Sequence, residues 1–136
     1  MQYRVVHYIN QFYAGKGGED KADLKPESVN GPVGPGAEIA RILKELGGEA
    51  EIVGTVICGD SYYGENIEEA RSTCLSMIEA FKPDLLIAGP AFNAGRYGVA
   101  CGDISASAGE KLGIPAVTGM YKENPGLELY GKACYV

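Results

Sequence analysis

Four short apolar, β-branched runs recur along this sequence, and each stretch between the later ones carries apolar residues at helical spacing. Tyr3 to Ile9, Glu51 to Ile57, Asp84 to Ala88 and Ile114 to Thr118 read as strands. Ile39, Ile42, Leu43 and Leu46 form one helical stripe, closed by Gly47-Gly48. Ile67, Ala70, Cys74, Met77, Ile78 and Phe81 form a second, with Asn66 and Glu69 placed as a capping box and Pro83 just past its end. Tyr97, Cys101, Ile104, Ala108 and Leu112 form a third, closed by Gly113. Strands buried on both faces and alternating with helices predict an α/β fold, an open, doubly wound, mostly parallel sheet of Rossmann-like or flavodoxin-like layer order. Asn10 to Gly36 reads as a long connection, and Leu129 to Val136 as the start of a fifth strand. A parallel sheet usually continues through another helix. The expectation is therefore one α/β domain over residues 1–136, the N-terminal portion of something longer, with apolar surface exposed near Ala133 to Val136 and a tendency to self-associate or to need a partner.

Composition excludes several classes. With 12 basic against 18 acidic residues and a net charge of −6, the chain lacks the basic footprint of a nucleic-acid binder. No apolar run is long enough to span a membrane, and the first residues do not form a secretory signal, so a cytoplasmic protein is expected. The cysteines at 58, 74, 101 and 134 show no C-x-x-C pattern, and the single histidine, His7, lies in a strand-like run. No metal site is expected, and His7 reads as a packed strand residue before it reads as a base. The motif around Gly15-Lys16 is not a phosphate-binding loop: Gly17 stands where a Ser or Thr would hold magnesium. Gly31-Pro32-Val33-Gly34-Pro35-Gly36 is not a dinucleotide fingerprint either, and its prolines suggest a rigid turn.

The unusual residues cluster after the strands. Loops beginning at Asn10, Cys58, Gly89 and Thr118 carry amide, aromatic and glycine residues. In a parallel sheet they emerge at one edge, where open α/β proteins bind ligands. Arg96 stands in the first turn of the third helix beside Asn93 and Tyr97. Its guanidinium can clamp a carboxylate in bidentate fashion or pack on loop carbonyls. Asn10, Asp60 and Tyr121 complete the candidate binding set. Asp60 and Glu65 suit either acid–base work or a helix start. Cys58 is a reactive thiol or a small core residue.

Several blocks resemble a known family. Val5-Val6-His7-Tyr8-Ile9-Asn10-Gln11-Phe12, Val33-Gly34-Pro35-Gly36, Cys58-Gly59-Asp60 with Gly64-Glu65-Asn66, the run from Ala88 to Gly102, and Val117-Thr118-Gly119-Met120-Tyr121 look like the N-terminal part of the selenoprotein B subunit of glycine, sarcosine and betaine reductases. The resemblance implies a subunit of a multicomponent anaerobic enzyme of amino-acid fermentation. It implies a partner subunit whose pyruvoyl group activates the substrate amine, and a selenocysteine that displaces the amine. The resulting carboxymethyl selenoether passes to selenoprotein A, and a third component releases acetyl phosphate. Selenocysteine, in a U-x-x-C-x-x-C-type setting, belongs to a C-terminal part of the family subunit that this sequence does not include. No catalytic nucleophile is therefore transferred, no cofactor is expected on this piece, and the piece alone is expected to be inactive. The rival reading is a stand-alone small-molecule-binding α/β module.

Overall fold

The first apolar run becomes the middle of the sheet. In the computed structural model, which describes residues 2–136, β1 (Tyr3–Ile9) lies between β3 (Ala50–Ile57) and β4 (Leu85–Phe92), parallel to both. β5 (Ala116–Met120) pairs in parallel with β4, and β2 (Glu27–Asn30) pairs antiparallel with β3, giving the order β2-β3-β1-β4-β5. The four strands expected from the sequence are thus present and parallel, as the α/β reading required.

Helices follow the strands: α1 (Gly36–Glu45), α2 (Asp60–Glu65), α3 (Ile67–Ala80), α4 (Gly95–Leu112) and α5 (Pro125–Tyr130). The step from β1 to β3 runs one way across the sheet, whereas the steps from β3 to β4 and from β4 to β5 run the other way. Right-handed crossovers then require α1 on one face and α3 and α4 on the opposite face. That second face holds the main core: Val6, Tyr8, Val56, Cys74, Ile78, Leu86 and Ile104 are buried together. Gly54 is required there, because a Cβ would enter the Phe81 ring.

His7 sits on the α1 face, fully buried, its Nε2 2.6 Å from the Gly89 carbonyl oxygen. Burial pushes its pKa down, so the ring is held neutral, and a Cβ on Gly36 would press to 3.1 Å from its Nδ1. It is a packed strand residue.

The sequence reading needs correction in four places. The connection from Asn10 to Gly36 contains a 3-10 turn (Glu19–Lys21) and the edge strand β2. β2 is short, four residues of mostly polar character, and only pairing with β3 reveals it. The loop after β3 is largely the short helix α2, and Asn66 makes no side-chain cap; its Nδ2 donates to the Tyr62 carbonyl instead. β4 runs on past Ala88 to Phe92, and β5 begins at Ala116, two residues later than the apolar run. Finally, Leu129 and Tyr130 are helical rather than extended, because Asn124 caps α5 through the Gly126 amide (2.9 Å) with Pro125 in its first turn. Of the expected fifth strand only Tyr135 bridges in parallel to Val117.

Candidate functional site

Because β1, β3, β4 and β5 are parallel, the segments following them share one edge of the sheet. The chain after β1 leads to the α1 face, and the chain after β4 leads to α4 on the other. Between those two departures a crevice must open, the position where open α/β sheets bind ligands. A cleft of about 360 Å³ occupies it, lined by the segment from Asn10 to Tyr13, by Glu19 and Asp60, and by Ala94 to Tyr97. A larger groove, about 480 Å³, lies between α3 and α4 and is lined by helix-body residues such as Glu68, Ser72 and Lys111. The crevice at the strand ends is the stronger candidate, since several elements converge there with buried polar groups.

Asn10 organises its floor. Its Oδ1 accepts from the Tyr13 amide (3.0 Å), which turns the chain, and its Nδ2 donates to Asp60 Oδ2 (2.9 Å). The Asp60 amide donates to Gln11 Oε1 at 3.4 Å. Asp60 is 8% exposed, and its Oδ1 is enclosed without a hydrogen-bond partner. Burial pushes the Asp60 carboxyl up to about 6, against the lowering pull of the Asn10 amide and of Arg96, while Glu19 adds to the rise. The backbone holds this arrangement tightly: the Gly59 amide donates to Leu24 (2.8 Å), and the Ser61 and Tyr62 amides to Ala22 (2.8 and 3.0 Å). Those bonds dock the 3-10 turn against α2.

Docking brings Glu19 to Arg96. One guanidinium nitrogen donates to both Glu19 carboxylate oxygens (2.6 and 2.7 Å), and another donates to Ser61 Oγ (2.5 Å). About half of the Arg96 side chain remains exposed. Tyr97 is buried with its ring stacked on Tyr13, centroids 5.7 Å apart.

The structure therefore gathers Asn10, Asp60, Arg96 and Tyr97 around one cleft. Asn93 and Tyr121 lie on the neighbouring rim, both exposed, with Tyr121 edge-on to Phe92 at 6.3 Å. Cys58 lies in the core, its thiol donating weakly to the Gly59 carbonyl (3.5 Å). Cys74 and Cys101 are equally enclosed, and burial holds the Cys101 thiol well above its ordinary range. The chain thus presents no accessible, activated thiol at the cleft among its described residues. No group of three or more metal-ligating side chains is assembled among them either. Sequence reasoning missed Glu19 and Ser61, which no periodicity marks, and the aromatic support from Tyr13.

The raised Asp60 carboxyl has a measurable consequence. A folded-state pKa above the unfolded value means that the protonated acid stabilises the fold fully below about pH 4, and that this contribution is lost as pH rises through about 6. Asp60→Asn is expected to remove that loss. Urea unfolding of both proteins across this range should show the variant gaining on the parent toward neutral pH, by on the order of 2 kcal/mol. Parallel pH profiles for the two proteins would show that Asp60 titrates normally.

The family sequence model described as glycine/sarcosine/betaine reductase selenoprotein B matches residues 2–136. The glycine reductase complex component B subunit gamma of Carboxydothermus hydrogenoformans is 59% identical over 135 residues, 99% of this chain and 30% of that protein. The sarcosine reductase complex component B subunit beta of Peptoclostridium acidaminophilum is 61% identical over 129 residues, 95% of this chain and 29% of that protein. The betaine reductase complex component B subunit beta of the same organism is 44% identical over 133 residues, 98% of this chain and 30% of that protein. The chain thus spans about 30% of the length of the curated relatives it matches. No solved structure matches it significantly. With the match running through every strand and through each loop that builds the cleft, this chain belongs to the glycine/sarcosine/betaine reductase selenoprotein B family.

Proposed function

We propose that these residues are the N-terminal α/β portion of the substrate-activating component B subunit of a selenium-dependent reductase. That enzyme cleaves the C–N bond of glycine, sarcosine or betaine reductively, toward acetyl phosphate, in the cytoplasm. The observation that carries this reading is identity of 59% with a glycine reductase component B subunit over almost the whole chain. No helix among the described residues is long and apolar enough to cross a membrane. Selenocysteine and a pyruvoyl group supply the cleavage chemistry. The buried thiols of Cys58, Cys74 and Cys101 do not fit the selenocysteine's role. The partners are the pyruvoyl-bearing subunit and selenoprotein A.

This portion binds and orients. All three substrates carry a carboxylate, and Arg96 is the arginine at the cleft. Glu19 already accepts from its guanidinium with both oxygens, in the manner a ligand carboxylate would. Substrate exchanges for Glu19, whose side chain is three-quarters exposed and can swing into water. Asn10, Asp60 and Tyr97 form the wall beneath, while Asn93 and Tyr121 stand at the entrance.

The test is reconstitution of the full-length subunit with its pyruvoyl-bearing partner, selenoprotein A and the acetyl-phosphate-releasing component. Acetyl phosphate should form from at least one of glycine, sarcosine and betaine, and only when this subunit is present. No product from any of the three would overturn the reading.

A further inference from the structure

The sheet is covered unequally. α3 and α4 cover one face from β3 across to β5, whereas on the opposite face the packed helix is α1, which lies on β3. Parallel partners project to the same face, so His7, Ile87, Val117 and Tyr135 form one row across β1, β4, β5 and the terminal bridge. His7 at the α1 end of that row is fully buried, but Val117 is 39% and Tyr135 68% exposed. Ile87, and Leu85 one pleat away, are only half-buried. Strands of this apolar, parallel kind ordinarily have helices on both faces. Crossover handedness explains the gap: both steps toward β5 place their helices on the α3/α4 side, so neither helix covers the bare side.

We propose that in the intact subunit this bare half-face is covered by the subunit's own remaining chain, packed on Leu85, Ile87, Val117 and Tyr135. The inference rests on the proposed membership in a longer subunit. About 70% of each matched relative's length lies outside the segment matched here, ample for the missing layer. The bridge at Tyr135 shows that the β5 edge accepts a further parallel segment, with the Thr118 amide donating to the Tyr135 carbonyl (2.8 Å) and the Tyr135 amide to Ala116 (3.0 Å). A helix or loop passing that edge reaches the bare face without crossing the filled one.

The experiment uses the full-length subunit carrying Val117→Cys or Tyr135→Cys, with Glu110→Cys, an exposed position on α4, as control. Maleimide labelling at each position is followed by peptide mass spectrometry, at concentrations where the subunit is monomeric. Positions 117 and 135 should label at least tenfold more slowly than position 110. Hydroxyl-radical footprinting of Tyr135 in the unsubstituted subunit gives the same reading should a variant fold poorly. Labelling at the control rate would overturn the proposal. Protection appearing only at higher concentrations, where copies associate, would assign the face to a second copy instead, and protection appearing only with the pyruvoyl-bearing subunit would assign it to that partner. Catalysis is not read, so an inactive subunit with a protected face separates this inference from the functional one.

Discussion

Asp103→Ala is expected to cost about 3 kcal/mol of local stability. Asp103 is 3% exposed in the middle of α4 and accepts from four donors. Arg71 of α3 reaches it with two nitrogens (2.9 and 2.7 Å), Tyr63 of α2 with its hydroxyl (2.5 Å), and Tyr130 of α5 with its hydroxyl (3.2 Å). One carboxylate therefore ties α2, α3 and α5 to α4. Removing it strands the buried Tyr63 hydroxyl, at about 1–3 kcal/mol, and leaves Arg71 without its counter-charge. The Arg71 side chain is 29% exposed and can turn partly into water, which keeps the total toward the low end of the range for a broken buried pair. Hydrogen exchange of α4 amides in the full-length subunit should accelerate roughly a hundredfold. Asp103→Asn, which keeps the volume, should show much of the same loss. A change below about 1 kcal/mol in both variants would mean that apolar packing alone holds these helices.

Arg96→Ala is expected to act oppositely, with little effect on stability and a large one on substrate. The Arg96–Glu19 pair is half to three-quarters exposed, so its loss should change stability by less than about 1 kcal/mol. A charge-assisted contact to a bound carboxylate is worth roughly 1.5–3 kcal/mol, or about ten- to a hundredfold in affinity. In the reconstituted reductase, KM for glycine should rise by that factor while α4 exchange stays unchanged. Glu19→Gln supplies the complementary result, since weakening the internal competitor should lower KM. An unchanged KM in both variants would make Arg96 a structural tie between α4, α2 and the 3-10 turn.

Local pattern carried the architecture. Apolar runs such as Asp84 to Ala88 and helical stripes such as Tyr97 to Leu112 depend on burial periodicity, which neighbouring residues alone record. Parallel strands separated by helices follow from that alternation, and the common edge for the segments after Ile9, Ile57, Phe92 and Met120 follows from the strands being parallel. Asn10, Asp60, Arg96 and Tyr97 were legible as candidates because they stand at those strand ends.

Pairings between distant residues were not legible. β2 has no apolar alternation to announce it and exists through its ladder with β3. Leu129 and Tyr130 look extended by composition, yet the Asn124 cap and contact with α4 make them helical. Asp103, a polar residue between apolar stripe positions, gives no sign locally that four donors from three other helices will meet it. Likewise Glu19 reaches Arg96 across 77 positions only because the amides of Gly59, Ser61 and Tyr62 fasten residues 22–24 to α2. By itself, then, the sequence determined β1, β3, β4 and β5, the helices α1, α3 and α4, and the edge where the candidate binding side chains gather, since each is set by short-range periodicity. The tertiary structure decided the partner of every buried charge and which half of the sheet stays bare, because those depend on distances between segments that no local pattern encodes.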